Sequence, residues 1–143
     1  MKDTETIEKA QKRATKQVKG LCSLSYEDQL RQLDIPSLRF QRCRGDTIEV
    51  FKILQGIYDM SITTELLTLT EGSLTRGHHL KLCKQQSRFD IRKYSFKMRI
   101  VNPWNLLTDY VISASNTVSF EAKLYNVLQN QPIKYNYTED LRL

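Results

Sequence analysis

Between Ser37 and Tyr58 the side chains of Phe40, Cys43, Thr47, Val50, Phe51, Leu54, Ile57 and Tyr58 recur every three or four residues. That period lines one side of an α-helix and does not fit a strand, so a long amphipathic helix must organise any core this chain builds. Gly45 interrupts the stripe at a cost of about 1 kcal/mol, which a helix of this length absorbs. With 143 residues there is room for about one domain and a single modest core around that helix. The 40% apolar and 27% charged content argues against wholesale disorder.

Shorter helices are expected on either side. In "TETIEKAQKRATKQVKGL" the residues Ile7, Ala10, Ala14, Val18 and Leu21 form one apolar stripe, with Gly20 as its stop. In "SYEDQLRQLDIP" Ser25 is placed to cap a short helix, with Asp28 three residues on and Leu30 and Leu33 facing inward, and Pro36 separates it from the long helix. After Asp59 the segment "TLTEGSLTRGHH" collects Thr, Ser and Gly in the manner of an exposed loop. The period then changes to two: "HLKLCK" sets Leu80 and Leu82 against Lys81 and Cys83, and "SRFDIR" repeats the alternation through Phe89 and Ile91, which predicts a small hairpin with a basic outer face. Helical spacing returns at Tyr94, Met98, Val101 and Trp104, where Pro103 is expected to kink or end the helix, and again from Thr117 through Phe120, Leu124, Val127 and Leu128. The expected fold is therefore mainly α, a helical bundle-like domain with one small antiparallel β-hairpin. It divides into an N-terminal helical segment over 1–60, a loop over 61–75, the basic hairpin with C-terminal helices over 76–131, and a loose tail over 132–143. Trp104, Phe51 and Phe120 are the expected centre of the core.

Charge narrows the choice of function. Residues 76 to 99 hold eight of the 22 Lys and Arg and one carboxylate, Asp90, with Phe89, Tyr94 and Phe96 among them. The middle third of the chain, residues 61 to 99, carries eight basic and three acidic groups and so supplies +5 of the net charge of +6. Such a stretch suits a polyanion, because each phosphate neutralised releases condensed counterions, and the alternative is an ordinary solvated basic face. The candidate phosphate contacts are Arg76, His78, Lys81, Lys84, Arg88, Arg92, Lys93, Lys97 and Arg99, with Tyr94 or Phe96 available to stack on a base. Arg39, Arg42 and Arg44 form a weaker second group, since Asp46 and Glu49 lie one turn away as partners for them.

Several function classes find no support. Two-metal chemistry needs clustered carboxylates, but the adjacent acidic pairs are Glu27 with Asp28 at a helix cap and Glu139 with Asp140 in the tail. There is no glycine-rich phosphate loop, nucleophile elbow or HExxH motif, and His78 and His79 with Cys83 lack the ligand number and spacing of a zinc site. No catalytic residue, metal or cofactor is expected. Arg44, Gly45 and Asp46 spell a cell-adhesion tripeptide but fall inside the long helix, and the sequon at Asn136 is meaningless without a secretory route. Cys22, Cys43 and Cys83, odd in number and widely spaced, read as reduced packing residues. With no apolar leader after Met1 and no long apolar run, the expectation is an intracellular protein, nuclear or cytoplasmic, that does not enter a membrane.

Three blocks, "IEKAQKRATKQVKGL", "LSYEDQLRQLDIPSLRFQRCRGDTIEVFKILQGIYD" and "RGHHLKLCKQQSRFDIRKYSFKMRIVNPWNLL", are followed by "SFEAKL" and "QPIKYNY". In content and order they resemble the region C-terminal to the polymerase core in reverse transcriptases of LINE-type, jockey-like non-LTR retrotransposons. The resemblance rests on Arg13 to Lys16, Pro36 to Leu54, Arg76 to Leu82, Ser87 to Lys93 and Arg99 to Leu106, and covers almost the whole chain. It implies a thumb and post-thumb portion of an RNA-directed DNA polymerase, with 1–60 as the thumb-like part, RNA or DNA as the ligand, and a palm domain as a missing partner. The chain departs from the family by lacking the F/Y-x-D-D carboxylates and the upstream endonuclease, and Thr108 stands where proline commonly follows W-N-x-L. The expectation is a noncatalytic nucleic-acid-binding fragment; the alternatives are a structural or protein-interaction module and a nonfunctional relic of a mobile element.

Overall fold

The computed structural model describes residues 2–63, 66–70, 78–84 and 95–142. The chain divides into two compact units, one of Met1–Arg42 with Leu128–Arg142, the other of Cys43–Val127. Helices dominate both. Among the described residues no strand forms, and no helix is long and apolar enough to cross a membrane.

In the first unit, α1 (Lys2–Lys16) packs on α2 (Tyr26–Leu33). Ser25 caps α2 as its sequence foretells, its hydroxyl oxygen accepting from the Asp28 amide at 3.2 Å. Asp34 ends α2 in the left-handed region at φ 49°, where its amide reaches the carbonyls of Leu30 and Arg31. The α1 stripe is a correction: Ile7, Ala10, Ala14 and Val18 are exposed, and the buried edge is Glu8 and Thr15 with Gln11 half-buried. Hydrogen bonding decides this. The Glu8 carboxylate accepts the Tyr26 hydroxyl at 2.7 Å and the Arg39 amide at 2.8 Å, and the Thr15 hydroxyl donates to Gln29 at 2.7 Å. A buried carboxylate survives only with such partners, and they hold the helix at one rotation.

The tail corrects a second expectation. Residues 132–142 are not loose: a 3₁₀ turn at Pro132–Lys134 buries Ile133, and the Lys134 carbonyl accepts the Ser37 amide at 2.7 Å. The Ser37 hydroxyl donates to the Ile133 carbonyl at 2.8 Å, and Arg39 donates to the carbonyls of Tyr137 and Glu139 at 2.7 and 2.9 Å. Backbone groups of the tail that water would otherwise solvate are thereby used.

The long helix, α3 (Leu38–Leu54), runs unbroken through Gly45 and buries Phe40, Thr47, Ile48, Val50 and Phe51. It ends four residues earlier than its apolar pattern suggests. Gly56 adopts φ 70°, and the Ile57 amide reaches back to the Lys52 carbonyl, the Schellman arrangement that closes a helix at glycine. Ile57 and Tyr58 are left exposed.

The second unit continues with α4 (Met60–Thr63), α5 (Phe96–Arg99), α6 (Val101–Leu106), α7 (Asp109–Ile112) and α8 (Thr117–Leu128). Pro103 neither kinks nor ends a helix. The break falls at Ile100, and Pro103 occupies the first turn of α6, where a missing amide donor leaves no bond unmade. The core is aromatic: the rings of Phe51 and Phe120 stack at 4.1 Å, and Trp104, fully buried, lies 6.1 Å from Phe120. All three expected core residues are where the periodicity puts them.

The expected hairpin finds no strand to support it among the described residues: its half at Ser87–Arg92 lies outside them, and in the half at 79–84 Leu69 and Leu82 form an isolated antiparallel bridge with the expected loop, the Thr70 amide donating to Lys81 and the Cys83 amide to Thr68. Cys22 and Cys83 are exposed and Cys43 half-buried, so the cysteines are free thiols and two of them are not packing residues.

Candidate nucleic-acid interface

Of the candidate phosphate contacts, Arg76, Arg88, Arg92 and Lys93, and the candidate stacking residue Tyr94, lie outside the described residues. The remainder sit on two short segments of the second unit, 78–84 and 95–99. These differ in how they are held.

Segment 78–84 is extended and fixed by its backbone to α6. The Trp104 indole donates to the Leu80 carbonyl at 2.7 Å, and the Asn105 amide group both accepts from the Leu82 amide at 2.8 Å and donates to the Leu82 carbonyl at 2.9 Å. A single Trp-Asn pair thus acts as the edge that an extended segment needs, and the bridge to Leu69 supplies another. Leu82 is buried beneath this lattice, Lys81 is half-buried and His79 and Lys84 are exposed. The alternation read from the sequence therefore holds at Leu82, whose backbone is held by Asn105 of α6 and by the bridge to Leu69. Trp104 and Asn105 are positioning residues that charge counting misses, and the signal for them is the Trp-Asn dipeptide directly after Pro103.

His78 is not a phosphate contact. Its ring is 1% exposed, packs edge-on against Trp104 at 5.8 Å, and its Nε2 lies 3.1 Å from the Trp104 carbonyl. Carbonyl oxygen is an acceptor, so Nε2 carries the proton and Nδ1 is the bare nitrogen, which has no hydrogen-bond partner. Burial pushes the imidazole below its ordinary pKa, outweighing the help of the Trp104 carbonyl, and keeps it neutral. An uncharged ring in the core has nothing to offer a phosphate.

Arg99 is also withdrawn from the contact set. Its guanidinium grips Asp46 with two hydrogen bonds, Nε to Oδ2 at 2.6 Å and Nη2 to Oδ1 at 2.9 Å, and lies 5.7 Å from the Phe96 ring. The Asp46 hydrogen bond holds the Arg99 pKa above its ordinary value. Lys97 and Phe96 beside it are half-buried.

The second arginine group is dispersed. Arg39 holds the tail through two carbonyls and Asp140, Arg44 reaches Glu121 at 3.3 Å, and Arg42 is exposed. Asp46 and Glu49, expected as their neutralising partners, are taken by Arg99 and by Lys52 with Tyr58. Among the described residues no group of three His, Cys, Asp or Glu converges to hold a metal ion. No family model, curated protein or solved structure matches the chain.

Proposed function

We propose that the chain is a noncatalytic nucleic-acid-binding module that grips the phosphates of RNA or DNA through Arg76, Lys81, Lys84, Arg88, Arg92, Lys93 and Lys97. The observation that carries this reading is the charge imbalance of residues 76 to 99, where seven Lys and Arg besides the Asp46-bound Arg99 stand against the single carboxylate of Asp90. Its support in the fold is the fixing of Lys81 and Lys84 on a segment bonded through its backbone to Trp104 and Asn105, which lowers the ordering cost of meeting a strand. The same reading makes the chain the thumb and post-thumb region of a non-LTR retrotransposon reverse transcriptase, on the motif resemblance alone. The test is fluorescence anisotropy with labelled single-stranded RNA, single-stranded DNA and a hybrid duplex across a salt series. Binding that weakens steeply with salt and varies little with base sequence is the expected result. Absence of binding at low salt overturns the proposal.

A further inference from the structure

The solvent side of α1 carries a charge pattern that helix stability does not explain. At about 100° per residue, Lys9, Lys12, Arg13 and Lys16 fall within an arc of about 100°, beside the buried edge of Glu8, Gln11 and Thr15 and about 140° from the Ile7-Ala10-Ala14 stripe. All four are exposed, and among the described residues Lys12, Arg13 and Lys16 enter no ion pair. Lys12 Nζ lies 6.0 Å from the Tyr26 ring, at the outer limit of a cation–π contact. Lys9 meets Glu5 at 3.4 Å with both side chains more than half exposed, a contact that salt screens and a phosphate can replace.

The spacing sets these cations against one another. Lys9 with Arg13 and Lys12 with Lys16 stand four residues apart, and Lys9 with Lys12 and Arg13 with Lys16 stand three apart. Like charges at these spacings face each other and weaken a helix. The last turn favours cations through the helix dipole, which accounts for Arg13 and Lys16 but not for Lys9 and Lys12 before it. A face meant only for water would gain from alternating signs, as Glu27 and Arg31 give α2. A polyanion outside the chain relieves the repulsion on α1.

We infer that this face of α1 binds the sugar-phosphate backbone of a duplex nucleic acid, as a second phosphate site separate from residues 76 to 99. From Lys9 to Lys16 the helix advances about 10 Å, over which one strand of a B-form duplex passes about three phosphates. The arc holds no aromatic side chain to stack on an unpaired base and no Asn or Gln to read a base edge. A stiff row of cations with neither suits the regular phosphates of a duplex, gripped without regard to sequence. An acidic protein surface calls for an apolar centre among the charges, and this arc is charged throughout. Anionic lipid calls for Trp, Phe or Leu on an inserted face, and α1 has none of the three. The inference does not depend on residues 76 to 99 holding a strand.

The experiment measures anisotropy of a short fluorescein-labelled mixed-sequence DNA duplex, and of labelled oligothymidylate, with the whole chain. Lys12→Gln, Arg13→Gln and Lys16→Gln together should weaken duplex binding about tenfold or more and flatten its salt slope by about 2 units, while oligothymidylate binding changes much less. The charge-keeping set Lys12→Arg, Arg13→Lys and Lys16→Arg should bind the duplex like the parent. Both sets change exposed side chains and should melt like the parent. With Arg88, Arg92 and Lys93 already changed to Gln, the glutamine set on α1 should still cost the duplex about tenfold, so failure of the reading of residues 76 to 99 leaves this test standing. Duplex affinity indifferent to the glutamine set, or a charge-keeping set as weak as the glutamine set, overturns the inference. So does an equal loss of oligothymidylate binding, or binding of phosphatidylserine vesicles or polyglutamate that the glutamine set abolishes while the duplex stays unbound.

Discussion

Asp46 and Arg99 face each other in a two-pronged ion pair, with bonds of 2.6 and 2.9 Å that tie the middle of α3 to the end of α5. The Asp46 side chain is only 15% exposed, so the pair is partly shielded from water and salt. The tripeptide Arg44-Gly45-Asp46 is thereby a structural clamp: its Asp binds Arg99 and its Arg binds Glu121. A double-mutant cycle with Asp46→Asn and Arg99→Gln should give a coupling of about 1 to 2 kcal/mol in urea denaturation. Additive effects would show that the two side chains contribute independently.

Trp104 serves both the core and segment 78–84, and the two roles separate by substitution. Trp104→Ala should lose about 3 to 5 kcal/mol, enough to unfold a marginal small domain. Trp104→Phe keeps most of the packing but leaves the Leu80 carbonyl without its donor, which should cost about 1 to 3 kcal/mol and raise amide exchange across 80–83. Unchanged exchange there would mean that the indole bond does not hold the segment.

Acid should loosen the second unit through His78. Burial lowers the folded pKa of this ring, so the unfolded chain takes up the proton first as pH falls below about 6.5. Stability contributed by the neutral ring is full above that pH and is lost progressively down to the depressed folded pKa. His78→Gln, which keeps a donor toward the Trp104 carbonyl and does not titrate, should flatten the pH dependence of the urea midpoint between pH 6.5 and the acid range. An identical slope in parent and variant would assign the acid sensitivity to other groups.

Primer extension on a primed RNA template with Mg²⁺ or Mn²⁺ should give no product. The adjacent acidic pairs are engaged elsewhere: Asp28 with Ser25, Glu27 with Arg31, Glu139 with Arg142 and Asp140 with Arg39. Reproducible incorporation by material freed of contaminating polymerases would contradict the noncatalytic reading.

Periodicity reveals an element where burial is apolar and local, and fails where a distant polar group decides. Phe40, Val50, Phe51, Phe120 and Trp104 announced their burial because packing alone rewards it. The rotation of α1 was hidden, since it depends on a bond from Glu8 to the amide of Arg39, thirty-one residues on. The tail was hidden for the same reason, with Ser37 and Ile133 separated by 96 positions. Alternation at Leu80 and Leu82 disclosed an extended segment but not its partners, because a period of two is silent about what lies across the ladder. His78 reads as a loop residue beside Gly77 and Arg76, while the Trp104 carbonyl and ring hold it inward. For the candidate interface, charge counting marks the region but is silent on the hydrogen bonds by which Trp104 and Asn105 hold part of it.

The account rests on residues 76 to 99 holding a phosphate backbone, and the salt dependence of strand binding tests that most directly. With about four to six phosphates neutralised on a single strand, log K against log salt should have a slope of roughly −3 to −4. Changing Arg88, Arg92 and Lys93 together to Gln should flatten that slope by about 2 units. A slope untouched by the triple change would contradict the account and leave the stretch as solvated surface.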